Sequence, residues 1–212
     1  MKKSLILLAC ILTLSPFQVN AGFGGFGLTL GTSYDSSFSS STLTSPFQNS
    51  IDLSKTTWGK SYVDIGYTYV LSTGIPLVPS LFLGGSVVGG WNSFKVDAQN
   101  QLQEFSGGFY AGLKAQGGII FTLAAVKVMA EIDTQSFSYK TQNQTGTTFG
   151  YGGYSLGVGL DFSAPLIPVV LGIGMNFKYP PNSVTFQTNG VNQDFGFSGS
   201  SFEVFAEIGI RL

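Results

Sequence analysis

Eight stretches of this chain alternate apolar with polar residues, and every charge within them falls on one parity. The stretches are Gly25–Asp35, Lys60–Leu71, Ser80–Asn92, Ser106–Gln116, Ala124–Thr134, Tyr151–Phe162, Val169–Tyr179 and Ser201–Leu212. One parity reads, for example, Val126, Val128, Ala130, Ile132 in the fifth stretch and Phe202, Val204, Ala206, Ile208, Ile210 in the last. The other parity holds Asp35, Lys60, Asp64, Lys114, Lys127, Glu131, Asp133, Asp161, Lys178, Glu203, Glu207 and Arg211. A helix, turning about 100° per residue, would scatter these charges around its circumference. A strand sends successive side chains to opposite faces and sorts them in this way. The chain is therefore predicted to be all-β, with one apolar and one polar face on every strand.

An internal period organises the strands. Aligning Gly74, Gly118 and Ser163 superposes segments 72–85, 116–128 and 162–174 at spacings of 44 and 45 residues. Pro76 then falls on Pro165, and Pro79 on Pro168. Each segment reads as a tight turn entering an apolar strand, so the repeat is one hairpin with its far loop. Short connections are expected around Gly74, Gly118 and Pro165, and long polar ones at 36–57, Lys95–Phe105, Gln135–Gly150 and Pro180–Gly199. Four repeats of two strands make eight, the smallest even number used by transmembrane barrels, and short turns on one rim with long loops on the other are their asymmetry. The expected architecture is an eight-stranded antiparallel up-and-down transmembrane β-barrel over residues 22–212. Ser201–Leu212 should pair with Val169–Tyr179 and Gly25–Asp35 and close it.

Alternation alone does not say which face is wet, because a soluble lipocalin-like barrel is apolar inside. Composition decides. Charged residues are 10% of the chain, against about 25% in soluble domains, too few to cover a water-exposed surface. No uninterrupted apolar run outside the leader is long enough for a spanning helix; Ile75–Trp91 is broken by Pro76, Pro79 and glycines. A closed barrel is the remaining way to satisfy every backbone group in a bilayer. The charged parity is also filled out with Gly27, Gly31, Gly66, Gly84, Gly112, Gly157, Gly159, Gly172 and Gly174, as a narrow lumen requires. The apolar parity carries the bulk, with Trp91, Tyr154, Phe177, Tyr179 and Phe202 towards the long loops and Tyr69 and Phe162 towards the short turns, as in two interfacial girdles. The reading is a barrel with its apolar face to lipid.

The first residues are read as a leader. Lys2 and Lys3 precede the apolar run Leu5–Leu14, and Val19-Asn20-Ala21 offers a small-residue cleavage site. Cleavage after Ala21 would remove residues 1–21, and with them Cys10, the single cysteine, so no disulfide framework is expected. Leu7-Leu8-Ala9-Cys10 loosely resembles a lipobox, but the apolar run before it is short.

In this pattern the chain resembles the small eight-stranded outer-membrane proteins of Gram-negative-type bacteria, the group of the OmpA membrane domain, OmpX and OmpW. The resemblance covers Gly22–Leu212. It implies insertion in outer-membrane lipid with both termini periplasmic, long loops at the cell surface, and recognition of the C-terminal strand by the barrel-assembly machinery. Members of the group usually end in an aromatic residue, most often Phe; here Leu212 stands in that place.

Chemistry-bearing motifs are few. The chain has no histidine, which excludes a Ser-His-Asp arrangement and removes the usual general base and the common zinc and haem ligands. No enzyme activity, cofactor or metal is expected. Gly22-Phe23-Gly24-Gly25-Phe26-Gly27 spells G-x-G-x-x-G but leads into a strand where the dinucleotide fold needs a helix. Asp52, Asp97, Glu104 and Asp194 are scattered without calcium-loop spacing, and Asn143-Gln144-Thr145 is an isolated sequon. A net charge of −1 without a basic cluster argues against nucleic acid. The twelve strand charges are the one constellation with content. Inside a narrow barrel they should pair, with Lys127 near Asp161, beside the inward-facing Phe82, Val88, Tyr110, Met129, Val170 and Phe205. Two functions fit: a plugged structural or surface-interaction barrel whose long loops meet an extracellular ligand, or, as the resemblance to OmpW implies, a porin-like passive channel for small or hydrophobic solutes.

Overall fold

A computed structural model describes residues 23–37, 42–44, 50–52, 56–72, 78–96, 103–121, 123–141, 144–163, 167–179, 183–188, 191–197 and 201–212. In chain order the strands are β1 (Gly25–Ser37), β2 (Thr42–Thr44), β3 (Ser50–Asp52), β4 (Thr56–Leu71), β5 (Ser80–Val96), β6 (Gln103–Phe121), β7 (Ala124–Thr141), β8 (Gln144–Ser163), β9 (Val169–Tyr179), β10 (Ser183–Thr188), β11 (Val191–Phe197) and β12 (Ser201–Arg211). Eight of them close a barrel in the order β1-β12-β9-β8-β7-β6-β5-β4, every neighbour antiparallel. The expected leader at 1–21 and the turns expected around Gly74 and Pro165 lie outside the described residues.

The closing seam is β1 against β12, in register from Gly27↔Arg211 to Ser37↔Ser201. It is locked at the short-connection rim by Phe26 N to Leu212 O at 3.2 Å and Leu212 N to Phe26 O at 2.8 Å. With β12 paired on its other side to β9, neither terminal strand keeps an open edge.

The faces separate as alternation requires. Trp91, Leu113 and Ile132 point outward, 69%, 65% and 70% exposed, while Lys60, Lys127, Asp161 and Glu203 are buried inside. On the outer wall Tyr154 and Tyr179 stack at 5.0 Å and Phe177 meets Phe202 edge-on at 5.3 Å. The interior apolar cluster is Phe23, Phe82, Ile120, Ala125 and Val170, at the short-connection end of the lumen.

Three expectations need correction. Gly118 is not in a turn: β6 runs on to Phe121, with Gly118 paired to both Phe82 and Lys127. The glycine there makes room, since a Cβ would come within 2.9 Å of the Phe82 ring. The 44- and 45-residue spacing survives instead between the strand starts Ser80, Ala124 and Val169. Second, Gln135–Gly150 is not a long loop, because β7 and β8 stay paired from Ala124↔Phe162 to Thr141↔Gln144. Third, the segments 36–57 and Pro180–Gly199 contribute β2, β3, β10 and β11, which form a separate four-stranded sheet in the order β10-β11-β2-β3. Short strands with one to three apolar residues set in Ser-, Thr-, Asn- and Gln-rich sequence read as loops.

Candidate functional site

The lumen is built from the inward parity of all eight barrel strands. Its charges gather into two groups. In the lower group, nearer the short connections, Lys127 on β7 lies 2.7 Å from Asp161 on β8 and also pairs with Glu207 on β12. Lys114 on β6 pairs with Asp64 on β4 and reaches Glu207 at 3.8 Å. Strands β6 and β12 stand opposite each other in the strand order, so Glu207 ties two walls together. Tyr62 donates to the second Glu207 oxygen at 3.3 Å.

The upper group joins Lys60 and Lys178 to Glu203 at 3.2 and 2.8 Å, and to Asp133 at 3.8 and 4.0 Å. Gln135 donates to Asp133 at 2.9 Å and accepts from Asn92 at 3.2 Å. Each cation in the two groups faces at least two carboxylates. That is the condition under which buried charge is tolerated, since an isolated ion in low dielectric carries a desolvation cost of several kcal/mol.

Glu131 lies between the groups and accepts a hydrogen bond from the Tyr110 hydroxyl; among the described residues no cation lies within ion-pair distance of it. Lys60 sits over the Tyr110 ring at 4.3 Å and Lys127 near the Phe205 ring at 5.5 Å. Arg211 stands apart and donates to Thr29 Oγ1 at 3.2 Å. The backbone of Asp35 pairs with Glu203, and its side chain lies outside the described residues. The structure thus brings nine of the twelve sequence-derived charges into two groups, with Glu131 between them and Arg211 below.

Glycine makes this density possible at two points. A Cβ on Gly159 would fall 2.8 Å from Lys127 Cε, and one on Gly172 would fall 2.6 Å from Glu207 Cγ. The cross-strand neighbours of the two key side chains are thus bare backbone. Between the groups, Tyr62, Tyr110, Lys114, Met129, Glu131, Asn176, Glu203, Phe205 and Glu207 line a small gap. Only about 10 Å³ of it is open to the centre of a water-sized sphere, room for roughly one water.

Sequence reasoning missed Tyr62, Asn92 and Gln135 as partners of the charges. Tyr62 shares the parity of Lys60 and Asp64, which was the available signal; the contacts of Asn92 and Gln135 needed the register. Among the described residues no group of three acidic, histidine or cysteine side chains could hold a metal ion.

No protein-family model matches the sequence, and no curated protein sequence does. Solved structures do. Neisserial surface protein A is similar at 12% identity and a TM-score of 0.51, over 90% of this chain and 99% of that one. Ail, the attachment invasion locus protein of Yersinia pestis, gives 10% and 0.47 over 90% and 99%, and OprG from Pseudomonas aeruginosa 7% and 0.37 over 90% and 98%. At 12% identity the first likeness establishes a shared fold. The closed eight-stranded architecture fits the small outer-membrane barrel group that the sequence resembles.

Proposed function

We propose that the chain is a bacterial outer-membrane barrel with a plugged lumen, and that its work is structural or at the cell surface. The observation that carries this is the lumen itself. Among the described residues, nine paired charges with inward aromatics leave space for about one water between the two groups, too little at that level for a solute to pass. The outward wall supports placement in lipid, because apolar side chains cover it and the described charges with side chains all face in. In this reading the short-connection rim and both termini are periplasmic, and the sheet β10-β11-β2-β3 lies at the outer surface, where an extracellular ligand would be met. The barrel-assembly machinery would read β12, and Leu212 would serve where the group usually has an aromatic. The reading assigns no catalysis.

The test is conductance. The purified barrel in planar bilayers should be electrically silent under voltages at which small porins open. Reproducible openings of the wild-type protein that change with Lys127→Ala would overturn the plug and favour the passive channel.

A further inference from the structure

At the short-connection mouth apolar side chains gather inside the lumen, with the charge of Arg211, the last residue of β12, at the same rim. Phe82 on β5, Ile120 on β6, Ala125 on β7 and Val170 on β9 point inward there, and Val70 on β4 packs at their edge. Each lies within two residues of its strand's end at that rim. These residues come from five of the eight strands and line one arc of the opening. The side chain that completes the cluster belongs to none of them: it is Phe23, which precedes β1 and is 6% exposed.

The backbone explains how Phe23 gets there. Gly25 has φ +105°, a conformation that only glycine adopts without strain. Its Cβ position would collide with the Leu212 carbonyl, so a side chain is excluded on both counts. The next residue, Phe26, is already locked into the seam by its two hydrogen bonds with Leu212. The chain therefore leaves the wall at Gly25 and turns in. Gly24 passes Val70, where a Cβ would come 3.0 Å from Val70 Cγ2, and Phe23 seats in the cluster.

We propose that Phe23 is a stopper hinged at Gly25, which seals the lumen from the short-connection side in series with the ion-pair plug. The inference rests on the plugged-barrel reading and adds a second, chemically different closure to it. Burial of an aromatic ring against other apolar side chains excludes water without a hydrogen-bonding group, so this patch of the floor stays dry whatever the ion pairs above it do.

Cysteine labelling tests it. The full chain, with its single cysteine in the leader to be removed, carries Val170→Cys as the reporter, since Val170 is inward and buried in the cluster. The folded barrel, identified in detergent by its heat-modifiable gel mobility, is exposed to a charged, membrane-impermeant methanethiosulfonate. With Phe23 in place the reporter thiol should react slowly. Adding Phe23→Ala should accelerate it by about tenfold or more, because local opening no longer limits access. Gly25→Ala, which keeps the ring but strains the hinge, should also accelerate it, and Phe23→Leu should restore protection. If Phe23→Ala does not reach the folded form, Gly25→Ala carries the same comparison. Equal rates with and without the aromatic, whether both fast or both slow, overturn the stopper. Ion conduction by the wild-type barrel would refute the plug instead, so the two failures are distinguishable.

Discussion

Replacing Lys127 by methionine separates a dry, plugged lumen from a wet one. Lys127 is 1% exposed and is shared by Asp161 and Glu207. Methionine keeps most of the stem and removes the cation, so the change isolates charge from packing. Glu207 keeps Lys114 at 3.8 Å and the Tyr62 hydroxyl at 3.3 Å; Asp161 loses its close partner. In a water-excluded interior, removing one member of a buried pair costs about 3–5 kcal/mol. At 1.4 kcal/mol per factor of ten, that is roughly two to three and a half orders of magnitude in the unfolding equilibrium. In a water-filled lumen the stranded carboxylates would be solvated and the cost would fall to about 0–1 kcal/mol. The assay is urea unfolding of the barrel in lipid vesicles, followed by the mobility of the folded form. Adding Asp161→Asn should recover most of the loss, and adding Glu207→Gln less of it, because Glu207 retains a cation. A loss below about 1 kcal/mol, or no recovery with Asp161→Asn, refutes the reasoning.

Other perturbations read different parts of the wall and interior. Glu131→Gln keeps an acceptor for the Tyr110 hydroxyl and breaks no ion pair, so its urea midpoint should move by less than about 1 kcal/mol equivalent. Gly159→Val places atoms where Lys127 Cε lies, 2.8 Å from the first added carbon, and should lower stability in the same titration by about 1–3 kcal/mol through overpacking. Val128→Arg puts a charge on the outer face, where Val128 is 59% exposed. In a bilayer it should cost about 2–4 kcal/mol in the same vesicle titration. An arginine tolerated there at no cost would argue that water, not lipid, meets that face.

Much of the fold was legible because alternation is a residue-by-residue constraint. In the membrane-barrel reading a charge on the wrong parity of Ala124–Thr134 or Val169–Tyr179 would meet lipid directly, which leaves Lys127, Glu131, Asp133 and Lys178 only one side to occupy. The starts of β1, β5, β7, β9 and β12 coincide with the expected ones for the same reason. Where the alternation is short and set among Ser, Thr, Asn, Gln and Gly the signal fades: β2, β3, β10, β11 and the outer halves of β7 and β8 looked like loop. The glycine pair at 117 and 118 misled in another way, since glycine marks a turn and a close contact equally well.

Pairing inside the lumen obeys a different logic. Lys127 and Asp161 sit on neighbouring strands, and adjacency alone suggested their meeting. Lys127 with Glu207, Lys114 with Glu207 and Lys60 with Asp133 join strands that never touch along the wall. Phe23 has no period at all, and its place in the floor depends on a backbone turn at Gly25. Local chemistry told each residue which face to take, because in the proposed membrane setting lipid would penalise a misplaced charge one residue at a time. Which carboxylate each lysine holds, and what stops the lower mouth, waited on closure: only the closed ring sets the distances across its diameter, and only glycine on the neighbouring strand leaves room for the side chains that span it.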